Sequence, residues 1–187
     1  MYLRTLIING SPRKNGDTVS MITEFKKHLH GEIIEITAYY NKISPCLDCR
    51  ACRVKKGCVI HDDMDIIYSQ NYDNVVIASP IYTSTLPGPL VSLANRFQAY
   101  YCAKHFMKDE FQSRKKRAAL MIVGGGDGST KGAIDLSKWI FKWMNASGFE
   151  ENTVFSLQTE LTAAGDDIDT IKKVREIASY FNDNTVN

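Results

Sequence analysis

Apolar residues recur along this chain in two alternating rhythms. Short, mostly apolar runs come first: residues 3–8, which end in Leu6-Ile7-Ile8, then Val75-Val76-Ile77-Ala78, then residues 118–123. Runs of this length that stop at Gly or Pro mark strands buried on both faces of a parallel sheet. Residues 32–37 alternate apolar and polar, as a half-covered strand does, and residues 153–157 are a candidate last strand. Between the runs the apolar spacing lengthens to that of helices. Val19, Ile22, Phe25 (or Lys26) and Leu29 mark a first helix. Residues 86–104 read as one helix, with Pro87 and Pro89 near its start, where proline is tolerated. Residues 131–146 place Ile134, Trp139, Ile140, Trp143 and Met144 on or near one face. Ile168, Ile171, Val174, Ala178 and Phe181 mark a closing amphipathic helix.

This alternation predicts an α/β fold: a doubly wound sandwich whose five-stranded parallel sheet has the order 2-1-3-4-5, with helices on both faces. The 187 residues fit a single domain, 1–187, containing an irregular cysteine-bearing loop at 38–60.

Composition removes several function classes. A net charge of +2 is too small to imply a nucleic-acid partner. The basic run Arg114-Lys115-Lys116-Arg117 reads as a solvated loop leading into a strand, with phosphate binding as the lesser alternative. No apolar run reaches the roughly 18 residues of a membrane helix, and Leu6-Ile7-Ile8 is too short for a signal peptide. The expectation is a cytoplasmic protein with no membrane partner, its five cysteines reduced or metal-bound rather than in disulfides.

Ligands of such sheets sit outside the carboxyl ends of the strands, and three of those ends carry unusual residues. Residues 10–18 follow the first strand. Gly10 and Gly16 let the backbone curl, Ser11 and Thr18 supply hydroxyls, Asn15 an amide, Arg13 a charged fork, and Asp17 opens the helix. A phosphate at a helix N-terminus needs such donors. The spacing fits neither the P-loop nor the G-x-G-x-x-G fingerprint. The alternative is an ordinary turn in which Asp17 or Thr18 caps the helix. After the third strand comes Pro80-Ile81-Tyr82-Thr83-Ser84, in which Tyr82 either packs on a ligand ring or plugs the strand end. After the fourth comes Gly124-Gly125-Gly126, which permits close approach of a flat ligand or makes a plain turn.

Cys46, Cys49, Cys52 and Cys58 form C-x2-C-x2-C-x5-C. Structural zinc takes two C-x2-C pairs set further apart. The compact three-plus-one spacing suits the corners of a [4Fe–4S] cube better; zinc and a loop of free thiols stay open as alternatives. Cys102 stands alone at a helical position and reads as a buried apolar residue. His28, His30 and His61 show no partner in the sequence.

Gly10-Ser11-Pro12-Arg13-Lys14-Asn15-Gly16-Asp17-Thr18 resembles the phosphate loop of the NADPH-dependent FMN reductase and iron–sulfur flavoprotein family, within the flavodoxin-like superfamily. Ser79-Pro80-Ile81-Tyr82 resembles that family's Ser-Pro-Val-Tyr, and Cys58-Val59-Ile60-His61-Asp62-Asp63-Met64 its Cys-Val-Ile-x-Asp-Asp-Met. The cysteine spacing is similar to the cluster motif of iron–sulfur flavoproteins. The chain departs where the family has Lys-Ala-Leu-Ile-Asp-Arg: Val91 and Asn95 replace the Lys and Asp before Arg96.

The resemblance implies a flavodoxin-like fold and FMN held by Ser11, Arg13, Asn15, Gly16, Asp17 and Thr18. It extends the flavin site to residues 80–84 and to Gly124, Gly125 and Gly126. It implies [4Fe–4S] or nothing at the four clustered cysteines, NAD(P)H as co-substrate, and a homodimer or homotetramer. The helix of Trp139, Phe141 and Trp143 either supplies subunit contacts or packs in the core. The activity implied is an FMN-dependent oxidoreductase passing electrons from a nicotinamide or ferredoxin-like donor to an acceptor, small molecule or protein. The flavin carries the chemistry, so no catalytic side chain is named. Two other classes compete: a non-catalytic flavodoxin-type carrier, which the positive net charge disfavours, and a flavin-free binding module on the same fold.

Overall fold

A computed structural model describes residues 3–69, 71–109, 114–126 and 128–183. Asp127, inside the expected glycine loop, lies outside them. The strands are β1 (Arg4–Asn9), β2 (Glu32–Thr37), β3 (Asn74–Pro80), β4 (Lys116–Gly124), β5 (Ala146–Ser147) and β6 (Thr153–Leu157). The helices are α1 (Asp17–His28), α2 (Met64–Tyr68), α3 (Gly88–Asn95), α4 (Gln98–Phe106), α5 (Lys131–Trp143) and α6 (Ile168–Asn182). All pairings between strands are parallel, in the order β2-β1-β3-β4-β5, with β6 also on β4. The fifth sheet position is therefore divided. Ala146–Ser147 covers the start of β4, and Thr153–Leu157 covers the rest.

Successive residues of a strand face opposite sides, and here both sides are apolar. Leu6 and Ile8, Val75 and Ile77, and Leu120 and Ile122 enter one core, with Met64 and Ile67 of α2, Leu90 of α3, Tyr100 of α4 and Ile140 of α5. Ile7, Val76, Ala78, Ala119 and Met121 enter the other, with Met21, Ile22 and Phe25 of α1 and Val174, Ile177 and Phe181 of α6. Phe141 and Trp143 are buried in the first core, whereas Trp139 remains partly exposed.

Two expectations change, and one helix was not foreseen. The helix expected over 86–104 is two helices that break at Arg96 and Phe97. The Tyr68 hydroxyl donates to the Arg96 carbonyl at 2.6 Å, and the turn tightens to three-residue bonds, Phe97 N to Ala94 O and Tyr100 N to Phe97 O. A side chain inserted into the helical ladder bends it. Helix α2 carried too few turns of periodicity to be seen. The basic run is half a solvated loop: Arg114 and Lys115 are exposed and lead into the strand, as expected, but Lys116 and Arg117 already belong to β4. Lys116 is buried at the start of β4, and burial, with repulsion from Arg114, pulls its ammonium down to about 8. Arg114 pairs with Asp73 at 2.7 Å. Arg117 donates to the Tyr180 and Phe181 carbonyls at 3.0 and 2.8 Å, closing the C-terminus of α6. No helix among the described residues is long and apolar enough to cross a membrane.

Candidate functional site

Parallel strands in register end together, so the three suspect loops emerge side by side. Asn9 stands opposite Ala78, and Pro80 opposite Val123. Backbone bonds tie the start of each loop to the end of the neighbouring strand: Gly10 N to Ala78 O at 2.8 Å, Ile81 N to Val123 O at 2.8 Å, and, after β6, Thr159 N to Gly124 O at 3.0 Å.

The first loop is built by short-range bonds. Buried Asn9 donates to Glu35 at 2.8 Å, which fixes its amide. The Asn9 side-chain oxygen Oδ1 then accepts from Ser11 N at 2.9 Å. The Ser11 hydroxyl lies between Arg13 N and Arg13 O at 3.2 and 3.3 Å. Gly10 is required here, because a Cβ would stand 2.9 Å from the Ser79 Cβ and closer still to Leu90. Ser11 and Thr18 are buried, while Arg13, Lys14 and Asn15 face solvent.

The capping alternative does not hold. The N-cap of α1 is Gly16, with no side-chain cap, and the Asp17 carboxylate instead accepts from Ala164 N at 2.8 Å across the molecule. The amides of the first turn of α1 thus keep the open positions that an anion fills. Helix α6 shows the contrast: Asp167 accepts from Asp169 N and Thr170 N, and its hydrogen bonds with Thr170 hold its carboxyl below the usual range.

The second loop is a tight two-residue turn. Tyr82 and Thr85 exchange backbone bonds at 2.9 and 3.0 Å, with Thr83 at φ 49° and Ser84 at φ 61°. Glycine and asparagine suit such a turn. A β-branched Thr there is strained, and strain of this kind collects at functional sites. The packing leaves no slack: a Cβ on Gly132, in the first turn of α5, would lie 3.3 Å from the Thr85 Cβ and tighter against Ser84. Tyr82, Thr83 and Ser84 are exposed, as are Gly125 and Gly126 on the third loop. Ile81 is half-buried against the core. Two tyrosines that the periodicity did not single out also stand here. Tyr40 donates to the Pro12 carbonyl and lies under Lys14 Nζ at 5.4 Å. Burial, then proximity to Tyr82, raises the Tyr39 phenol.

The cysteine loop forms a second centre. Cys46 and Cys49 are exposed, Cys52 and Cys58 half-buried. All four line one pocket with Val59, Ile60, Arg96 and, unexpectedly, Cys102. Cys102 is buried as expected, but it is not alone: it lines the same pocket as Cys52. Burial, then the neighbouring Cys102, pushes the Cys52 thiol up to about 12. Among the described residues no three His, Cys, Asp or Glu side chains converge on a single-ion site.

Arg96 holds this loop in place, a role that no spacing signal revealed. Its side chain is fully buried and donates to Ser44 O at 2.9 Å, Ile60 O at 2.9 Å and Asp62 at 2.8 Å. Burial alone would raise the Asp62 carboxyl. Hydrogen bonds from Arg96, Ser44 N and Met64 N outweigh it, and the net shift is downward. Among the described residues Arg96 Nε is buried without a partner, a donor placed in a pocket rich in sulfur. His61 pairs with Asp65, and His28 with Glu24, each at 3.1 Å, both on the surface.

A family model for NADPH-dependent FMN reductases matches residues 3–159. The chain is 31% identical over 147 residues to an iron-sulfur flavoprotein of Methanosarcina thermophila, covering 75% of this chain and 72% of the relative. It is 28% identical over 127 residues to an iron-sulfur flavoprotein of Methanocaldococcus jannaschii, covering 65% of this chain and 62% of that protein. Among solved structures, an FMN-dependent NADH-azoreductase from Bacillus anthracis in complex with FMN superposes with a TM-score of 0.65 at 14% identity, over 96% of this chain and 100% of that one. An NAD(P)H:quinone oxidoreductase from Methanothermobacter marburgensis superposes with a TM-score of 0.63 at 10% identity, over 95% and 96%. The structural likenesses show a flavodoxin-like fold.

Proposed function

The chain belongs to the NADPH-dependent FMN reductase family, which makes it a flavin-dependent oxidoreductase, and from that premise we propose that its three strand-end loops would hold FMN and its cysteine loop would hold a [4Fe–4S] cluster, so that the chain passes electrons from a nicotinamide or ferredoxin-like donor to an acceptor. The observation that carries the FMN site is the uncapped first turn of α1 beside two further loops at one sheet end. Ser11, Arg13, Asn15, Gly16, Asp17 and Thr18 surround the phosphate. In this assignment Asp17 acts by fastening the loop to Ala164 rather than by touching the anion. Residues 80–84 and Gly124, Gly125 and Gly126 border the ring. When bound, FMN supplies the exchange between hydride and single electrons. The chain would bind and orient it, with the exposed Tyr82 and the left-handed turn at Thr83 and Ser84 standing beside the site.

The cluster assignment rests on the pocket. Four thiols of compact spacing, apolar walls and a buried guanidinium with an unpaired N–H suit an anionic iron–sulfur group. Cys46, Cys49, Cys52 and Cys58 would ligate it. The relatives named iron-sulfur flavoproteins support the same reading. With a cluster present, the donor or acceptor is a ferredoxin-like protein; a nicotinamide donor must approach the flavin directly, since the sequence has no motif of its own for one. The molecule acts as a homodimer or homotetramer formed from single-domain chains.

An absorption spectrum of anaerobically purified protein, with flavin and iron assays, tests this. One FMN and four irons per chain are expected, and Arg13→Ala should weaken FMN about tenfold while leaving riboflavin affinity unchanged. Protein that binds no flavin sinks the assignment, and flavin without iron removes the cluster.

A further inference from the structure

Every N–H of a buried guanidinium needs an acceptor, and the Arg96 side chain is wholly buried. Its Nη1 donates twice, to Ser44 O at 2.9 Å and to Asp62 at 2.8 Å, and its Nη2 donates to Ile60 O at 2.9 Å. The Tyr68 ring covers the guanidinium at 5.9 Å, and the Tyr68 hydroxyl holds the Arg96 carbonyl at 2.6 Å. These contacts fix the fork at both ends of the residue. The edge that carries Nε is left over. Among the described residues Arg96 is the one charged group with a buried atom in that condition.

A buried donor without an acceptor is costly, and more so on a cation. Such a donor marks a place for an acceptor that the chain itself does not supply. Arg96 lines the same pocket as Cys46, Cys49, Cys52 and Cys58, beside Val59 and Ile60. Neutral thiols accept weakly, whereas an anionic sulfur makes a charge-assisted bond of about twice the ordinary strength. Asp62 already balances the guanidinium charge. What Arg96 offers the pocket is therefore a directed N–H rather than net charge.

We infer that Arg96 Nε donates a hydrogen bond to a sulfur of the iron–sulfur group in the cysteine pocket and thereby raises its reduction potential. This rests on the cluster reading above. Reduction adds negative charge at the sulfurs, so a donor aimed at them favours the reduced state. One guanidinium thus does two things: its Nη atoms fasten the loop, and its Nε sets the potential.

The test uses the whole chain reconstituted anaerobically with iron and sulfide. Iron content and the midpoint potential are measured for wild type and for Arg96→Lys, which keeps a cation for Asp62 but has no Nε. Full iron is expected in both, with the reduction equilibrium of Arg96→Lys shifted roughly tenfold toward the oxidised cluster, about 59 mV for one electron. Unchanged potential with full iron overturns the inference and leaves the cluster reading standing. A second measurement decides the case in which Arg96→Lys loses iron. Wild-type protein carrying 15N at arginine Nε is reduced, and nitrogen coupling to the cluster is read by electron–nuclear double resonance. A coupling is expected, and it should survive in the Arg50→Lys, Arg53→Lys double variant, because those two exposed arginines also line the pocket. Absence of coupling in iron-loaded wild type, or its loss in the double variant, overturns the inference alone. Wild-type protein that takes up no iron overturns both readings together.

Discussion

The loops that follow β1 and β2 leave the same carboxyl end of the sheet, yet they are built in different ways. The loop after β1 is fastened by its immediate neighbours. Asn9, Ser11 and Arg13 bond to one another, and Gly10 bonds to the adjacent strand. The loop after β2 runs across the cysteines to α2, and its main fastening comes from Arg96, 52 residues beyond Ser44 in sequence. The Asn9–Ser11–Arg13 bonds cost little entropy to form, because each closes a small ring, and ties to Ala78 and Ala164 only add to them. The second loop depends on a guanidinium that must reach its partners as the helices dock. A site for a small, universal group such as phosphate can be encoded locally. A site that gathers ligands from a long irregular segment needs a distant anchor.

The largest expected effect separates the two loops. Arg96→Met leaves Asp62 buried without its cation and removes two carbonyl partners, at a cost of about 3–5 kcal/mol in urea unfolding. Iron uptake should collapse with it, while FMN affinity, measured by fluorescence titration, should change less than threefold. If flavin affinity falls in parallel with iron, the loops are not independent and the contrast fails.

Acid provides a gentler probe of the same anchor. The Asp62 carboxyl is held below its ordinary value of 3.8 in the folded protein. The stability it contributes is fully present above that value and is lost as pH falls through the depressed folded one. The stability gap between wild type and Asp62→Asn should therefore be constant above about pH 5 and shrink below pH 4. A gap that grows on acidification would mean that the pair does not hold the loop.

The smallest effect contrasts the two helix starts. Asp167→Ala removes a cap from α6 and should cost about 1 kcal/mol with no change in FMN affinity. Asp17→Ala should cost a similar amount by freeing Ala164 N, but should weaken FMN as well, because its carboxylate ties down the loop that faces the phosphate. Equal effects of the two substitutions on flavin binding would erase the distinction.

Much of this molecule was legible from residue order. The buried strands at Val75-Val76-Ile77-Ala78 and residues 118–123 announced themselves, because a strand covered on both faces must be apolar at every position. The parallel order followed from strand–helix alternation, and the glycine-bearing loop was readable because phosphate recognition uses neighbours in sequence. Other features were illegible in principle. The break at Arg96 comes from a Tyr68 hydroxyl that no helical periodicity contains. The burial of Lys116 depends on what the sheet end packs against. Whether Asp17 caps its own helix or reaches Ala164 is decided by a contact 147 residues away. The convergence of Cys102 with the four clustered cysteines required α4 to lie on the cysteine turn. Sequence by itself determined which segments pair and which residues can bind phosphate or sulfur-loving metal, since those depend on local period and on side-chain chemistry. Only the tertiary structure decided which distant groups anchor the cysteine loop, because a hydrogen bond between remote residues leaves no periodic trace in either segment.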